Sequence, residues 1–153
     1  MLLKINCKQE TISKTALLQL LNTHFVLESD EHPFTLDFLE EKQNIYLSYD
    51  YDDTLTGICF FSRIHYKGAY SKNANLNIYV PKSYRNKGIA TQLWSFLKTH
   101  EKVADFKNII TTCFASQSAT RNWLQQQQFH ELNTLKGVLV EDTYHDVVFY
   151  NFY

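Results

Sequence analysis

Apolar and polar positions recur along the chain with two periods, and each period predicts its own kind of element. Leu2–Cys7 reads as a first strand. From Thr15 to His24, Leu17, Leu18, Leu20 and Leu21 share one broad helical face, with Thr11 or Ser13 able to begin the helix. A second helix is expected at His32–Lys42, with Pro33 in its first turn and Phe34, Phe38 and Leu39 facing inward. Ile45–Tyr51 and Leu55–His65 read as a hairpin joined through the acidic turn Asp50-Tyr-Asp-Asp53, and Asn75–Val80 alternates as a fourth strand. Gly88–Lys102 carries Ile89, Leu93, Phe96 and Leu97 at helical spacing. Ile109–Phe114 reads as a buried strand, Ser118–Gln127 as a helix, and Gly137–Glu141 and Asp146–Tyr153 as the last two strands. The order β-α-α-β-β-β-α-β-α-β-β fits an α/β fold around one mixed sheet, whose central strand-helix-strand segment can pair in parallel.

Composition narrows the picture. With 153 residues, 44% of them apolar and 15% aromatic, the chain is expected to form one domain, 1–153, with a sizeable core. A formal charge of −1 gives no global attraction to nucleic acid or to an anionic membrane, so any anion site must be local. Cys7, Cys59 and Cys113 lie far apart in apolar runs without metal-ligand spacing. Reduced core thiols in a cytoplasmic protein are expected, and no bound metal. Lys4 breaks the first apolar run, so no signal peptide is read, and no run has the length of a membrane span.

The chemistry concentrates in one stretch, Val80 to Trp94, "VPKSYRNKGIATQLW". A strand ends, a basic loop places one of the four glycines of the chain, and a helix begins. The first N–H groups of a helix have no intrahelical acceptors and carry the positive end of its dipole. With Arg85 and Lys87 beside them, they form a cradle suited to a diphosphate.

Arg85-Asn-Lys-Gly-Ile-Ala90 resembles the GNAT acetyltransferase motif Gln/Arg-x-x-Gly-x-Gly/Ala, preceded as in that family by a strand and "VP…YR". Gln117-Ser-Ala-Thr-Arg-Asn-Trp-Leu-Gln-Gln-Gln-Gln-Phe129 is similar to the family's later "N-x-A-S…GF" segment. Ala69-Tyr70, Ile78-Tyr-Val80 and Tyr144-His-Asp-Val147 resemble "AY", "VYV" and "WHDV" of the phosphinothricin acetyltransferase subfamily. The resemblance implies a GNAT-like mixed sheet of about seven strands flanked by about four helices, its fourth and fifth strands splayed apart. It implies acetyl-CoA as cosubstrate and a small primary amine, amino-acid-like or otherwise, as acceptor, in a monomer or homodimer. The pyrophosphate would lie on Arg85, Asn86, Lys87, Gly88, Ile89, Ala90 and Thr91. The pantetheine arm would run along Ile78, Tyr79 and Val80, the Val80 N–H would polarise the thioester carbonyl, and Gln117 would bind a pantetheine amide.

The proton-handling residues depart from the subfamily. Its proposed glutamate base falls on Asn75, which can hold a water but cannot take a proton. A tyrosine acid common among relatives falls at Trp123 or Leu124, and the glycine of "GF" becomes Gln128. An amine acceptor is mostly ammonium near neutrality and must lose a proton before it attacks. His145 is the first candidate base, and Asp146 beside it on a strand would face the other way. His65 is a second candidate. Phe34, Tyr66, Tyr70 and Tyr79 are available as acceptor-pocket walls, and Arg63 and Lys67 could bind an acceptor carboxylate, each with a plain core or surface role as the alternative. Cys113 reads as core and Arg121 as solvated surface. The rival functions are a silent acyl-CoA-binding or sensing domain and a protein-modifying acetyltransferase, for which Asp50, Asp52 and Asp53 would supply an acidic groove.

Overall fold

The short apolar runs become strands. The computed structural model describes residues 4–6, 22, 45–49, 55–64, 72–99, 106–140 and 142–153. Its strands are β1 (Lys4–Asn6), β2 (Ile45–Tyr49), β3 (Leu55–Arg63), β4 (Asn73–Tyr79), β5 (Asn108–Phe114), β6 (His130–Val140) and β7 (Thr143–Phe152). Their hydrogen-bonded order is β1-β2-β3-β4-β5-β7-β6. Two α-helices lie among the described residues, α1 (Ile89–Lys98) and α2 (Ser118–Gln126). The expected helices at 15–24 and 32–42 lie outside them, apart from Asn22, which is helical. The acidic turn at 50–53 also lies outside.

The chain divides into two compact units, one made of Met1–Ser62 and Asn77–Val103, the other of Arg63–Leu76 and Ala104–Tyr153. In the first, β1, β2 and β3 pair antiparallel in sequence. Thr56–Phe61 of β3 is buried without interruption, as a strand covered on both faces must be. Helix α1 buries Ile89, Leu93, Trp94 and Leu97. At about 100° per residue this stripe is centred between Leu93 and Leu97 and reaches Trp94, which leaves Phe96 half-buried at its rim. The helix ends at Thr99, short of the expected Lys102.

In the second unit β4 and β5 run parallel, with Asn73, Ala74 and Asn75 opposite Asn108, Ile109 and Ile110. One residue further along, the buried Thr111 hydroxyl donates to the Leu76 carbonyl at 3.0 Å. β7 then pairs antiparallel with β5 over six residue pairs, Ile109↔Phe152 to Phe114↔Val147. Strand β6 closes this edge against β7 and is much longer than the Gly137–Glu141 expected from sequence. Its first half, His130–Asn133, is exposed at every position, and its register shifts twice, between Glu131 and Asn133 and between Leu135 and Val138. Alternation that follows no buried face leaves no period-2 signal to read.

Helix α2 ends in a Schellman turn. The Phe129 N–H donates to the Leu124 carbonyl at 3.0 Å and the Gln128 N–H to the Gln125 carbonyl at 3.0 Å, while both Leu124 and Phe129 are buried. This geometry puts Gln128 at φ 67, the position where the resemblance has glycine. A side chain there is strained, and glycine is not. Gln128→Gly is expected to raise stability by roughly 0.5–1 kcal/mol, measured as a higher urea midpoint at unchanged m-value. A lower midpoint would show that the Gln128 side chain contributes more than its backbone costs.

Candidate active site

The loop after β4 is built by short-range bonds. Pro81 is buried and starts a single 3-10 turn at Lys82–Tyr84, closed by the Tyr84 N–H on the Pro81 carbonyl at 2.8 Å. Arg85 donates its Nε–H to the Val80 carbonyl at 3.0 Å, which folds the loop back onto the end of the strand. Lys87 sets its ammonium 5.1 Å from the centroid of the Tyr84 ring. Asn86 at φ 62 and Gly88 at φ 77 are both left-handed, and Lys87 between them is not. Alternation of this kind turns successive N–H groups to one side and makes a nest for an anion.

Gly88 is the N-cap of α1, and no side chain caps the helix there. The Gly88 carbonyl accepts the first helical bond, from the Gln92 N–H at 3.0 Å. Among the described residues, a Cβ built on Gly88 would meet nothing nearer than the Gln92 side-chain nitrogen, at 3.8 Å. Residues 85–91 thus bring two cationic side chains, two left-handed residues and an uncapped helix start together in one short stretch.

What brings this helix start close to the strands was missed in the sequence. Gly57 lies inside β3, and a Cβ on it would come within 2.8 Å of Ile89 Cγ2, 3.0 Å of Leu93 Cδ1 and 3.5 Å of the Tyr79 carbonyl. A glycine interrupting an apolar strand was the available signal.

The second unit carries Asn75, Gln117 and His145. Gln117 is the N-cap residue of α2 without capping it through its side chain. Its Oε1 instead accepts the Phe114 N–H at 3.3 Å, and its own N–H donates to the Phe114 carbonyl at 3.0 Å. With its oxygen engaged, Gln117 has its NH2 to offer, which suits a carbonyl acceptor. His145 is half-buried in β7 and stacks on Phe114, ring centroids 4.5 Å apart at 23°. Asp146 faces the other way, accepting the Gly137 N–H on Oδ1 at 3.1 Å, while its carbonyl takes the Ala115 N–H at 2.8 Å. Its carboxylate thus holds the irregular turn of β6 at Gly137, itself at φ 66.

Asn75 and His145 share a sheet face but are not brought together. Asn75 lies opposite Ile110, and Ile110 lies opposite Asn151, six residues from His145 along β7. At about 3.3 Å per residue the two are roughly 20 Å apart, so they cannot handle the same proton. Trp123 is half-buried and Leu124 buried on α2. Arg63 ends β3, and Phe34, His65, Tyr66, Lys67 and Tyr70 lie outside the described residues.

Arg121 lies partly exposed on its helix, as expected, but it is bonded on three sides. Its Nε–H donates to the Tyr150 hydroxyl at 3.1 Å, Nη2 to Glu131 Oε2 at 3.3 Å, and Nη1 to the Ala115 carbonyl at 3.5 Å. The Tyr150 hydroxyl donates to the same Glu131 oxygen at 3.3 Å. The bond to Tyr150 holds the Arg121 proton more tightly still, and burial pushes the Tyr150 hydroxyl above its usual range. Burial also pushes up the Cys113 thiol, partly countered by Arg121, and pushes the Cys59 thiol well up. Both are free, buried thiols, in line with core roles rather than nucleophilic ones.

The family model for the acetyltransferase (GNAT) family matches residues 14–129. The chain belongs to that family of N-acetyltransferases. Among solved structures it is similar to an N-acetyltransferase from Staphylococcus aureus Mu50, at 25% identity and TM-score 0.83 over 99% of this chain and 98% of that one. A GNAT superfamily phosphinothricin acetyltransferase from Sinorhizobium meliloti, in complex with acetyl-CoA, aligns at TM-score 0.80 and 16% identity, covering 99% and 88% of the two chains. A ribosomal-protein-alanine N-acetyltransferase from Brucella melitensis aligns at TM-score 0.81 and 19% identity over 97% and 98%. No curated protein matches the chain by sequence. Among the described residues no helix is long and apolar enough to cross a membrane.

The close approach at Gly57 gives a test of how α1 is seated. Gly57→Ala forces the methyl onto Ile89 Cγ2, a branched methyl that cannot swing clear. It is expected to cost about 1–3 kcal/mol, the usual range for overpacking a tight core, read as a lowered denaturant midpoint. An unchanged midpoint would mean that α1 is free to shift and is not fixed by this contact.

Proposed function

We propose that this chain moves the acetyl group of acetyl-CoA to the primary amine of a small acceptor by direct attack of the amine nitrogen, without a covalent enzyme intermediate, and that residues 1–153 act as one acetyltransferase domain. The observation that carries the proposal is the glycine-capped start of α1 directly after β4, within the segment matched by the family. Acetyl-CoA supplies an acetyl group already activated as a thioester. Arg85, Lys87 and the N–H groups from Asn86 to Thr91 hold its diphosphate. The main chain of Ile78, Tyr79 and Val80 carries the pantetheine arm as an added strand would be carried. The Gln117 NH2 donates to a pantetheine carbonyl. The Val80 N–H stabilises negative charge on the thioester oxygen as the amine attacks.

The acceptor must shed a proton in that step. Of the two candidates, His145 can accept one and Asn75 can only order water, so His145 is assigned the base and Asn75 a place along the acceptor face. Packing on Phe114 fixes the plane of the His145 ring, which a directed proton acceptor requires.

Two measurements test this reading. CoA is expected to raise the melting temperature of the unmutated protein, since it engages the folded state. Gly88→Glu is expected to abolish that shift, while Gly88→Ala, with the same backbone strain and no charge, keeps most of it. Equal shifts in all three would remove the diphosphate seat from residues 85–91.

The second follows free thiol released from acetyl-CoA with an amine of low pKa, which is already neutral when it binds. His145→Gln is expected to lower turnover by roughly 10²-fold or more, the usual scale of general base catalysis, with CoA binding unchanged. A loss of less than about threefold would take the base role from His145.

A further inference from the structure

Contacts from β7 and α2 meet at one residue, Ala115, in the turn between β5 and α2. Its N–H donates to the Asp146 carbonyl of β7 at 2.8 Å, and its carbonyl accepts from Arg121 Nη1 at 3.5 Å. Arg121 reaches the turn a second time, through its backbone N–H on the Gln117 carbonyl at 3.0 Å. The guanidinium is in turn held by the buried Tyr150 hydroxyl on β7 and by Glu131 on β6. Inside the turn, both main-chain groups of Phe114 are used by Gln117. The turn therefore has no slack. The Gln117 amide is held by the Phe114 N–H, and the next residue of that turn, Ala115, is the one Arg121 holds.

We infer that Arg121 is a positioning residue for the cosubstrate: it fixes the Phe114–Gln117 turn to the β6–β7 hairpin and so aims the Gln117 NH2 at the pantetheine. This rests on the acetyl-CoA reading above. Arg121 touches no reacting atom. Its contribution is geometric, and it needs the planar fork of arginine to span a carbonyl, a hydroxyl and a carboxylate at once. Lysine, a single point charge, can serve one of the three.

The role has a consequence that plain stabilisation of α2 would not have. If Arg121 acts through Gln117, its loss matters to binding only while Gln117 has an amide to aim. The test is a double-mutant cycle on the affinity for CoA, measured by titration calorimetry on the whole chain. Arg121→Gln is expected to weaken CoA binding roughly three- to tenfold, the scale of one misdirected hydrogen bond, and Arg121→Lys to restore little of it. In a Gln117→Ala background, Arg121→Gln is expected to add nothing further. Tyr150→Phe keeps the ring and removes the acceptor of the Arg121 Nε–H, so it is expected to show the same dependence on Gln117 and serves if Arg121→Gln does not fold. An unchanged affinity, or an equal loss with and without the Gln117 amide, overturns the inference while leaving the CoA site standing. Failure of the unmutated protein to bind CoA overturns the site itself, and the inference with it.

Discussion

Helix α1 begins where it does because β3 presents no side chain at Gly57. The helix rests Ile89 and Leu93 on bare backbone, with the Tyr79 carbonyl the next nearest group. Helix–strand packing ordinarily keeps elements about 10 Å apart, and one missing Cβ is what allows the closer seat. The first turn of α1 carries main-chain N–H groups that have no intrahelical acceptor, and its position is set by that contact. The loop before it is then fixed from both ends, by Arg85 on the Val80 carbonyl and by the left-handed Asn86 and Gly88. A single packing constraint in the strands thus fixes the electrostatics of a loop some thirty residues later in the chain.

The second unit works by a different economy. It places few apolar groups around α2, which buries Leu124 alone. Polar contacts do the holding: the guanidinium of Arg121 across two strands, the Asp146 carboxylate on the Gly137 amide, the Gln117 oxygen on Phe114. The exposed half of this network, Arg121 with Glu131, is screened by solvent and contributes little to overall stability by itself. Its effect lies in direction. Planar, multiply bonded groups define an orientation more sharply than apolar contacts of similar strength, and orientation is what an amide offered to a ligand requires.

What was legible in the sequence follows from these two styles of construction. β3, β5 and α1 bury continuous or periodic apolar residues, so periodicity found them within a few residues. The loop and helix start that carry the family motif were legible because they are local: strand end, basic loop, glycine and helix start follow one another along the chain. β6 was read only in part, since Leu132, Leu135 and Leu139 alternate around two register shifts and stay exposed. Arg121 could not be assigned, because its partners come from residues 115, 131 and 150, and nothing in the spacing joins them. Asn75 and His145 were read from sequence as separate candidates. The register that sets them far apart is a property of strand pairing, which a single chain of letters does not state.

The two register shifts of β6 bear on how the molecule behaves among its own copies. The strand ends the sheet order, so one row of its main-chain donors and acceptors faces away from any neighbour in that order. Leucines stand beside that row. A regular, apolar edge of eleven residues would be a template on which another chain could add itself. Here the ladder is out of step at Leu132 and again at Lys136 and Gly137, where the Asp146 carboxylate draws the Gly137 amide inward. An incoming strand would meet a regular ladder over no more than three successive positions between shifts, Asn133–Leu135 or Val138–Val140. The irregularity that hid β6 from a periodic reading is the same one that interrupts this edge.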